Sequence, residues 1–289
     1  MLRSMTAFAR QDASGEFGSL SLELRSVNHR YLECYVRLPD ELRSLEPKIR
    51  ERVAQQTFRG KVECNFSFKP ATDTNQLRVN EDLCKNLIDL AEGIHRQMRN
   101  PGPLSPFDVL RWPGILHNPG VNMEALQNAL TETIDKALDE FIATRSREGE
   151  KLREALQERL NAVSAIVAEV RVRLPETLQA TQQRLKTRFD ELQLQLDPSR
   201  LEQEMVLITQ RSDVEEELKR LETHLIELQR ILDDKSSQPV GRRLDFLMQE
   251  FNREANTLCS KSQDAHVTKL GIDLKVFIEQ MREQVQNIE

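Results

Sequence analysis

Two segments in the last third of the chain place ionisable side chains at helical spacing. In the first, Glu217 and His224 are seven positions apart, which is two turns along one flank of an apolar stripe. In the second, Glu250 and Glu254 are one turn apart on the flank of another apolar stripe. If the two helices pack antiparallel, three carboxylates and one imidazole meet. Such a group would hold Mn²⁺ or Mg²⁺, which prefer oxygen ligands, so the predicted metal ligands are Glu217, His224, Glu250 and Glu254.

Interhelical salt bridges explain the same spacing without a metal. Arg220 lies one turn before His224 on the same flank, and Arg243 lies on the flank that carries Glu250. Acidic helix flanks are more often solvated or ion-paired than metal-binding. The spacing alone therefore favours a salt-bridge network that includes Arg220, Arg243 and Arg253.

Two turns in the first quarter combine basic side chains with amides and aromatic rings. Residues 25–31 are Arg-Ser-Val-Asn-His-Arg-Tyr, and residues 58–61 are Phe-Arg-Gly-Lys. Arg and Lys bind phosphates, and aromatic rings stack on unpaired bases, so this composition is typical of a nucleic-acid surface. Tyr31 and Phe58 are the candidate stacking residues, although most aromatic rings here are expected to fill the sheet core. The predicted polar contacts are Arg25, Asn28, Arg30, Arg59 and Lys61.

Several common catalytic motifs are absent from the sequence. There is no Walker A loop, G-x-G-x-x-G, G-x-S-x-G or H-E-x-x-H, which argues against P-loop hydrolases, dinucleotide enzymes and zincins. The four cysteines form no C-x-x-C pair, so the usual zinc and redox spacings are missing. The sequence shows no apolar leader and no stretch of about 18 apolar residues. We therefore expect a cytoplasmic protein with reduced thiols and no membrane partner.

Composition argues against nucleic-acid binding through bulk charge. The 289 residues carry 41 basic and 47 acidic side chains, a formal net charge of -6, so a polyanion would need a local basic patch. Residues 1–70 hold 12 basic and 9 acidic side chains, whereas residues 201–289 hold 12 basic and 18 acidic ones. This asymmetry predicts either two parts with different tasks or two surfaces that face each other.

The first third of the chain has the pattern of strands. In residues 20–25, 31–37 and 60–68, apolar side chains alternate with polar ones, which is the period of a half-buried strand. A helix predicted over 44–57 precedes the third strand, so we expect a small antiparallel sheet with a covering helix. Beyond this region, helices are predicted over 80–99, 105–112 and from 123 to about 147.

Long amphipathic helices follow. Apolar residues recur at steps of three and four from Leu152 to Leu174, the seam of a coiled coil or a helical hairpin. Pro175 predicts a kink or break before a second arm with apolar residues from Leu178 to Leu196. We expect the arm to pack against its own return helix or another subunit.

Three helices are predicted in the last third, over 201–232, over 243–258 and from 264 onward. The sequence thus predicts an α+β protein with three parts. They are an N-terminal antiparallel-sheet α+β domain that binds RNA (1–150), a helical coiled-coil arm (151–200) and a C-terminal helical domain with the acidic and histidine motif (201–289).

These segments together resemble the bacterial YicC/YloC family. The resemblance begins with Ser-Met-Thr-Ala-Phe at 4–8, then the motif at 25–33, Arg-Gly-Lys-Val-Glu at 59–63 and Arg-Glu-Gly at 147–149. It continues through 213–224 and from 241–250 to Asn256-Thr257, and this last block is long and specific. Ala7 stands where the family's opening motif usually has glycine.

The resemblance implies an endoribonuclease that cleaves single-stranded RNA with a divalent metal, takes part in RNA turnover and assembles into ring-like hexamers. The helical-flank argument, applied to the family's motif positions, makes Glu250, Glu254 and His224 the catalytic candidates. Under the same hypothesis Arg243 and Arg253 join the RNA contacts, because they would neutralise phosphate charge. The attacking group is either water or the RNA 2′-hydroxyl. Other RNA-decay enzymes are candidate partners. The alternative is a non-catalytic RNA-binding scaffold or adaptor that delivers RNA to another nuclease. A purely structural coiled-coil protein would leave the basic turns unexplained.

Overall fold

A small sheet is followed by a largely helical chain in the computed structural model, which confirms the predicted α+β class. The structure describes residues 2–71, 78–100, 102–103, 105–117, 122–191, 214–234, 236, 238–262 and 264–289. The strands are β1 (Ala7–Gly15), β2 (Gly18–Val27), β3 (Leu32–Arg37), β4 (Gly60–Pro70), β5 (Arg78–Val79) and β6 (Leu116–His117). The helices are α1 (Glu46–Gln56), α2 (Glu81–His95), α3 (Pro106–Leu110), α4 (Met123–Glu191), α5 (Glu215–Asp233), α6 (Gly241–Lys261) and α7 (Ala265–Val285). No helix within these ranges is both long enough and apolar enough to cross a bilayer.

Four strands form one mixed sheet in the order β1-β2-β4-β3. The β1–β2 and β2–β4 pairs are antiparallel, whereas β3 and β4 run parallel with Leu32 opposite Gly60. This parallel pair departs from the antiparallel sheet that the sequence predicts. The connection explains the departure, because α1 lies between β3 and β4 and provides the crossover that parallel neighbours require.

The period of two in the strands determines which face of the sheet is buried. Leu20, Leu22 and Leu24 of β2 are buried, and the residues between them are not. These side chains share one core with residues of α1 and with the first part of α4, up to Phe141. β1 was not predicted from the sequence, because Ala9 is its one buried residue.

Helix α4 spans 69 residues and belongs to both halves of the molecule. Its residues up to Phe141 pack on the sheet, and those from Leu156 to Val170 pack on the C-terminal helices of the same chain. The predicted seam is therefore covered within the chain by its own later helices. The helix runs on through Pro175 instead of breaking, which a helix can do when it gives up one backbone hydrogen bond. The second-arm side chains predicted from 178 to 196 lie outside those that the structure describes.

Helices α5, α6 and α7 share one apolar core with α4, and each buries one apolar stripe. Helix α7 begins where predicted, because the Asp264 carboxylate accepts from the Val267 backbone N–H at 2.9 Å. The Asn80 side chain caps α2 in the same way. The helix predicted over 201–232 is described from Glu215 onward, and residues 201–213 lie outside the described residues.

The sheet and the helical unit are joined along the middle of α4. Gly149 lets the residues before β1 pass close to the helix, since an added Cβ would lie 2.1 Å from the Leu2 carbonyl oxygen. The Ser4 backbone N–H donates to the Arg145 carbonyl at 3.0 Å. The Arg145 side chain is fully buried, and its Nη2 lies 3.3 Å from Glu289 Oε2. The two ends of the described chain therefore meet at α4.

Candidate functional site

The ionisable flanks of α5 and α6 face each other. Three ion pairs join them in antiparallel order: Glu217 with Lys261 at 2.8 Å, Arg220 with Glu254 at 3.2 Å, and Glu227 with Arg243. Residue numbers rise along α5 as they fall along α6, so the two helices are antiparallel. The predicted site depended on this arrangement.

His224, Glu250 and Glu254 come together between these two helices. One ligand atom of each lies within 4.8 Å of the other two. Glu254 is buried, His224 is half-buried and Glu250 is exposed, so the group opens to solvent on the Glu250 side. A set of two carboxylates and one imidazole can hold Mn²⁺ or Mg²⁺.

Packing orients His224. Its ring meets Phe251 edge-on, with centroids 5.6 Å apart and 63° between the ring planes. Its Nε2 is buried and has no hydrogen-bond partner among the described residues. A buried nitrogen without a partner costs roughly 1–3 kcal/mol, and a cation bound there would remove that cost. The donor set therefore fits a divalent cation.

Glu254 also takes part in the salt-bridge network. Arg220 Nη1 lies 3.2 Å from Glu254 Oε1, and Arg220 Nη2 lies 2.5 Å from Glu216 Oε1. Hydrogen bonds to Glu254 and then to Glu216 raise the pKa of Arg220, so this guanidinium stays charged. Glu254 thus belongs both to the salt-bridge network and to the candidate metal site. Arg220 contacts one of its two carboxylate oxygens.

The structure does not bring Glu217 into the group. It lies seven positions before His224 on α5, which is about 10 Å along the helix axis. Opposite Glu217, α6 presents Lys261, whose Nζ lies 2.8 Å from Glu217 Oε1. Glu217 is thus ion-paired to Lys261, two helical turns away from the group formed by His224, Glu250 and Glu254.

A cleft of about 650 Å³ opens where the turns next to the sheet meet α6. Its lining comes from both parts of the chain: Asn28, Arg30, Tyr31, Arg59, Arg242, Asp245, Phe246, Gln249 and Gln286. Asn28, Arg30 and Arg59 are three of the predicted RNA contacts. The Tyr31 ring lies near two guanidinium groups, with Arg30 Cζ at 5.4 Å and Arg242 Cζ at 5.9 Å from its centroid. Phe58, the other candidate for stacking, is exposed but does not line the cleft.

The turn that carries Arg59 is fixed by one carboxylate. Glu289 Oε1 accepts from the backbone N–H groups of Phe58 and, at 2.8 Å, of Arg59. Gly241 begins α6 beside this turn, and a Cβ there would lie 2.2 Å from the Ile288 carbonyl oxygen and 3.0 Å from Arg59 Nη1. Nε and Nη1 of Arg59 are buried without a hydrogen-bond partner in the described structure. One wall of the cleft therefore holds a guanidinium whose buried nitrogens are unsatisfied.

Four predicted RNA contacts lie outside the cleft. Arg25 and Lys61 are on the outer face of the sheet, where Arg25 is opposite Glu63 and Lys61 Nζ lies 2.8 Å from Glu63 Oε1. That hydrogen bond lowers the pKa of Glu63 and raises the pKa of Lys61. On α6, Arg243 is ion-paired to α5, and Arg253 is exposed.

Four cleft residues on α6 were not predicted from the sequence as contacts. Arg242, Asp245, Phe246 and Gln249 follow the spacing of one helical face, away from the apolar stripe. Phe246 is 69% exposed, and a large aromatic ring on a polar face was the signal available in the sequence. Gln249 directly precedes Glu250, so the cleft and the carboxylate group share one turn of α6.

Comparison with known proteins gives consistent matches along the chain. A family model described as "Endoribonuclease YicC-like, N-terminal region" matches residues 2–154, and one described as "Endoribonuclease YicC-like, C-terminal" matches residues 170–289. A protein of Haemophilus influenzae is 45% identical over 290 residues, and one of Clostridioides difficile is 30% identical over 296 residues. Both alignments cover 100% of this chain and 100% of the relative, and each relative is named "Probable endoribonuclease YicC".

Proposed function

The chain belongs to the YicC-like endoribonuclease family, and from this premise we propose that it is a metal-dependent endoribonuclease that cleaves single-stranded RNA in the cytoplasm during RNA turnover. The observation that carries the proposal is the group of His224, Glu250 and Glu254 beside a basic, aromatic cleft on the same helix. A nuclease needs groups that act on a phosphodiester and groups that bind the backbone and bases around it. This junction supplies both within one turn of α6.

His224, Glu250 and Glu254 are the residues that would hold Mn²⁺ or Mg²⁺. Such an ion, when bound, polarises the phosphodiester and lowers the pKa of a coordinated water. Two of these side chains are held in place by their neighbours, and the third faces solvent. Arg220 fixes Glu254, and packing on Phe251 fixes His224, while Glu250 is exposed towards solvent. Glu250 can accept a proton at a carboxylate oxygen from the attacking group, either water or the RNA 2′-hydroxyl.

The cleft supplies the contacts to RNA. Among the described residues, Arg30, Arg59 and Arg242 have no ion pair, so their charges are available for phosphates. The half-exposed ring of Tyr31 can stack on a base only if that base is unpaired, which favours single-stranded RNA. Exposed Arg253 lies one turn beyond Gln249 and extends this basic path along α6.

Assembly of several copies belongs to the same proposal. Helix α2 has an apolar face but no buried residue, and its neighbourhood exposes large apolar side chains: Leu90, Ile94, Met98, Phe107 and Trp112. Exposed apolar surface of this extent is typical of an interaction site. We assign this surface to contacts between copies of the chain, in line with the ring-like hexamer that the family resemblance implies.

Glu250→Gln is the sharpest test of the catalytic assignment. Glu250 is exposed and has no ion pair in the described structure, so the substitution removes a charge without disturbing the core. Labelled single-stranded RNA is incubated with the wild-type chain, with E250Q and with E279Q, which alters an exposed carboxylate on α7. Each reaction is run in EDTA and with added Mn²⁺ or Mg²⁺. Cleavage by the wild type and E279Q should need metal, and E250Q should be slower by about 100-fold or more.

Two results would contradict the proposal. Cleavage that persists in EDTA would remove the metal from the mechanism, and equal cleavage by E250Q would remove the carboxylate group from the active site. RNA binding without cleavage in every reaction would favour the alternative function, a scaffold that delivers RNA to another nuclease.

A further inference from the structure

One acidic side chain lines the otherwise basic cleft. Asp245 shares the lining with Arg30, Arg59 and Arg242, and none of these guanidinium groups forms an ion pair with it in the described structure. Asp245 is the fifth residue of α6, beyond the first turn in which the helix dipole favours a carboxylate. Neither ion pairing nor the helix dipole therefore accounts for an acid at this position.

A carboxylate beside RNA phosphates is repelled unless the RNA donates hydrogen bonds to it. The donors that RNA offers are the 2′-hydroxyl and the N–H groups of the bases. Guanine presents two adjacent donors on its Watson–Crick edge, N1–H and the N2 amino group, and the two oxygens of a carboxylate can accept from both. The other three bases present one donor group each on that edge. The acid in the cleft thus selects for guanine.

The cleft also offers the aromatic surface that a bound base requires. Tyr31 is 55% exposed and Phe246 is 69% exposed, and both rings line the cleft. Phe246 adjoins Asp245 in the sequence, and Gln249 lies one turn further along the same face of α6. The Gln249 amide can donate to guanine O6, next to the two donors that face the carboxylate.

We propose that this cleft is a base-specific subsite that binds one unpaired guanine nucleotide of the RNA. Asp245 accepts from guanine N1–H and N2–H, Tyr31 and Phe246 stack on the base, and the arginines bind the adjoining phosphates. The inference rests on the proposed function in taking RNA as the ligand, but it concerns recognition and not cleavage. Because α6 also carries Glu250, the bound guanine determines which phosphodiester reaches the carboxylate group.

Binding is measured in EDTA, so that metal-dependent cleavage cannot interfere. Short fluorescein-labelled oligonucleotides of uridine, with one central G, A, C or U, are titrated with the full chain by fluorescence anisotropy. The wild type should bind the G oligonucleotide about tenfold more tightly than the other three. D245N should bind the G oligonucleotide no more tightly than the U oligonucleotide. D89N, the same change at an exposed position on α2, should keep the preference.

Two further probes test the contacts individually. Inosine in place of guanosine lacks the N2 amino group and should bind with intermediate affinity, while Y31A should weaken binding of all four oligonucleotides. Equal affinity of the wild type for the four bases, or an undiminished preference in D245N, would overturn the guanine subsite. Since no cleavage is measured, loss of the preference leaves the nuclease proposal intact, and absence of cleavage leaves the subsite intact.

Discussion

Replacing Glu289 by glutamine is expected to lower the free energy of unfolding by about 3 kcal/mol. Arg145 is fully buried, and its Nη2 lies 3.3 Å from Glu289 Oε2, on a side chain that is 3% exposed. Burial lowers the pKa of Arg145, and the Glu289 carboxylate raises it again, so Glu289 offsets the cost of burying the guanidinium. Glutamine keeps an oxygen for the backbone N–H groups of Phe58 and Arg59 but removes the negative charge.

The magnitude follows from the burial of the pair. Removing one partner of a buried ion pair costs about 3–5 kcal/mol, because the remaining charge stays buried and unpaired. The lower end applies here because the contacts to the two backbone N–H groups survive. An exposed ion pair is worth less than about 1 kcal/mol, and Glu279 with Arg282 at 3.2 Å on α7 is such a pair, with both side chains about half exposed. E279Q is therefore a matched control.

Urea unfolding followed by circular dichroism at neutral pH gives the free energy of unfolding of the wild type, E289Q and E279Q. If E289Q is destabilised no more than E279Q, the buried pair does not stabilise the junction between the sheet and the helices. The double variant R145M/E289M provides a second check. It removes both charges and should recover part of the loss, because apolar replacement of a buried pair is often neutral or stabilising.

Three other perturbations have expected outcomes. Gly149→Ala places a Cβ 2.1 Å from the Leu2 carbonyl oxygen and should destabilise the chain by about 1–3 kcal/mol in the same urea assay. Lys61→Met should raise the pKa of Glu63, because the wild-type hydrogen bond lowers it, and an NMR titration measures this pKa. The contribution of the pair to stability is present at neutral pH and is lost as the pH falls through the folded-state pKa of Glu63. Ile94→Asp on the apolar face of α2 should reduce the mass measured by light scattering, and an unchanged mass would exclude this face from the contacts between copies.

Local periodicity decided which parts of the fold could be predicted. Three sheet strands were predicted because large apolar side chains alternate with polar ones, whereas β1 buries only Ala9 and carries little of that signal. The parallel pairing of β3 with β4 depends on the choice of partner strand, which spacing within one strand does not contain. The seam of α4 from Leu156 to Val170 was predicted in the same way, but its cover by later helices is a long-range contact.

The lack of long-range information in a local pattern also explains why three of the four candidate metal ligands come together and Glu217 does not. The helical period correctly indicates that Glu217 and His224 share one flank of α5 and that Glu250 and Glu254 share one flank of α6. A period gives the direction in which a side chain projects, but it does not give its height relative to the partner helix. Along the helix axis, the residue of α6 that faces Glu217 is Lys261. The carboxylates of Glu250 and Glu254 lie about two turns further along, opposite His224.

The cleft depends on contacts that no local pattern in the sequence contains. Arg59 reaches α6 because Glu289 fixes its turn and because Gly241 leaves room for the close approach. The shape of the cleft depends on these long-range contacts, but the distance between the base-binding residues and the carboxylate group does not. Phe246 and Glu250 are four positions apart on a single helix, about 6 Å along its axis, so their separation does not depend on how the sheet and the helices are held together. A change that removes the Glu289 acceptor at the junction, such as E289A, should therefore weaken RNA binding while the cleavage position relative to the bound base stays the same.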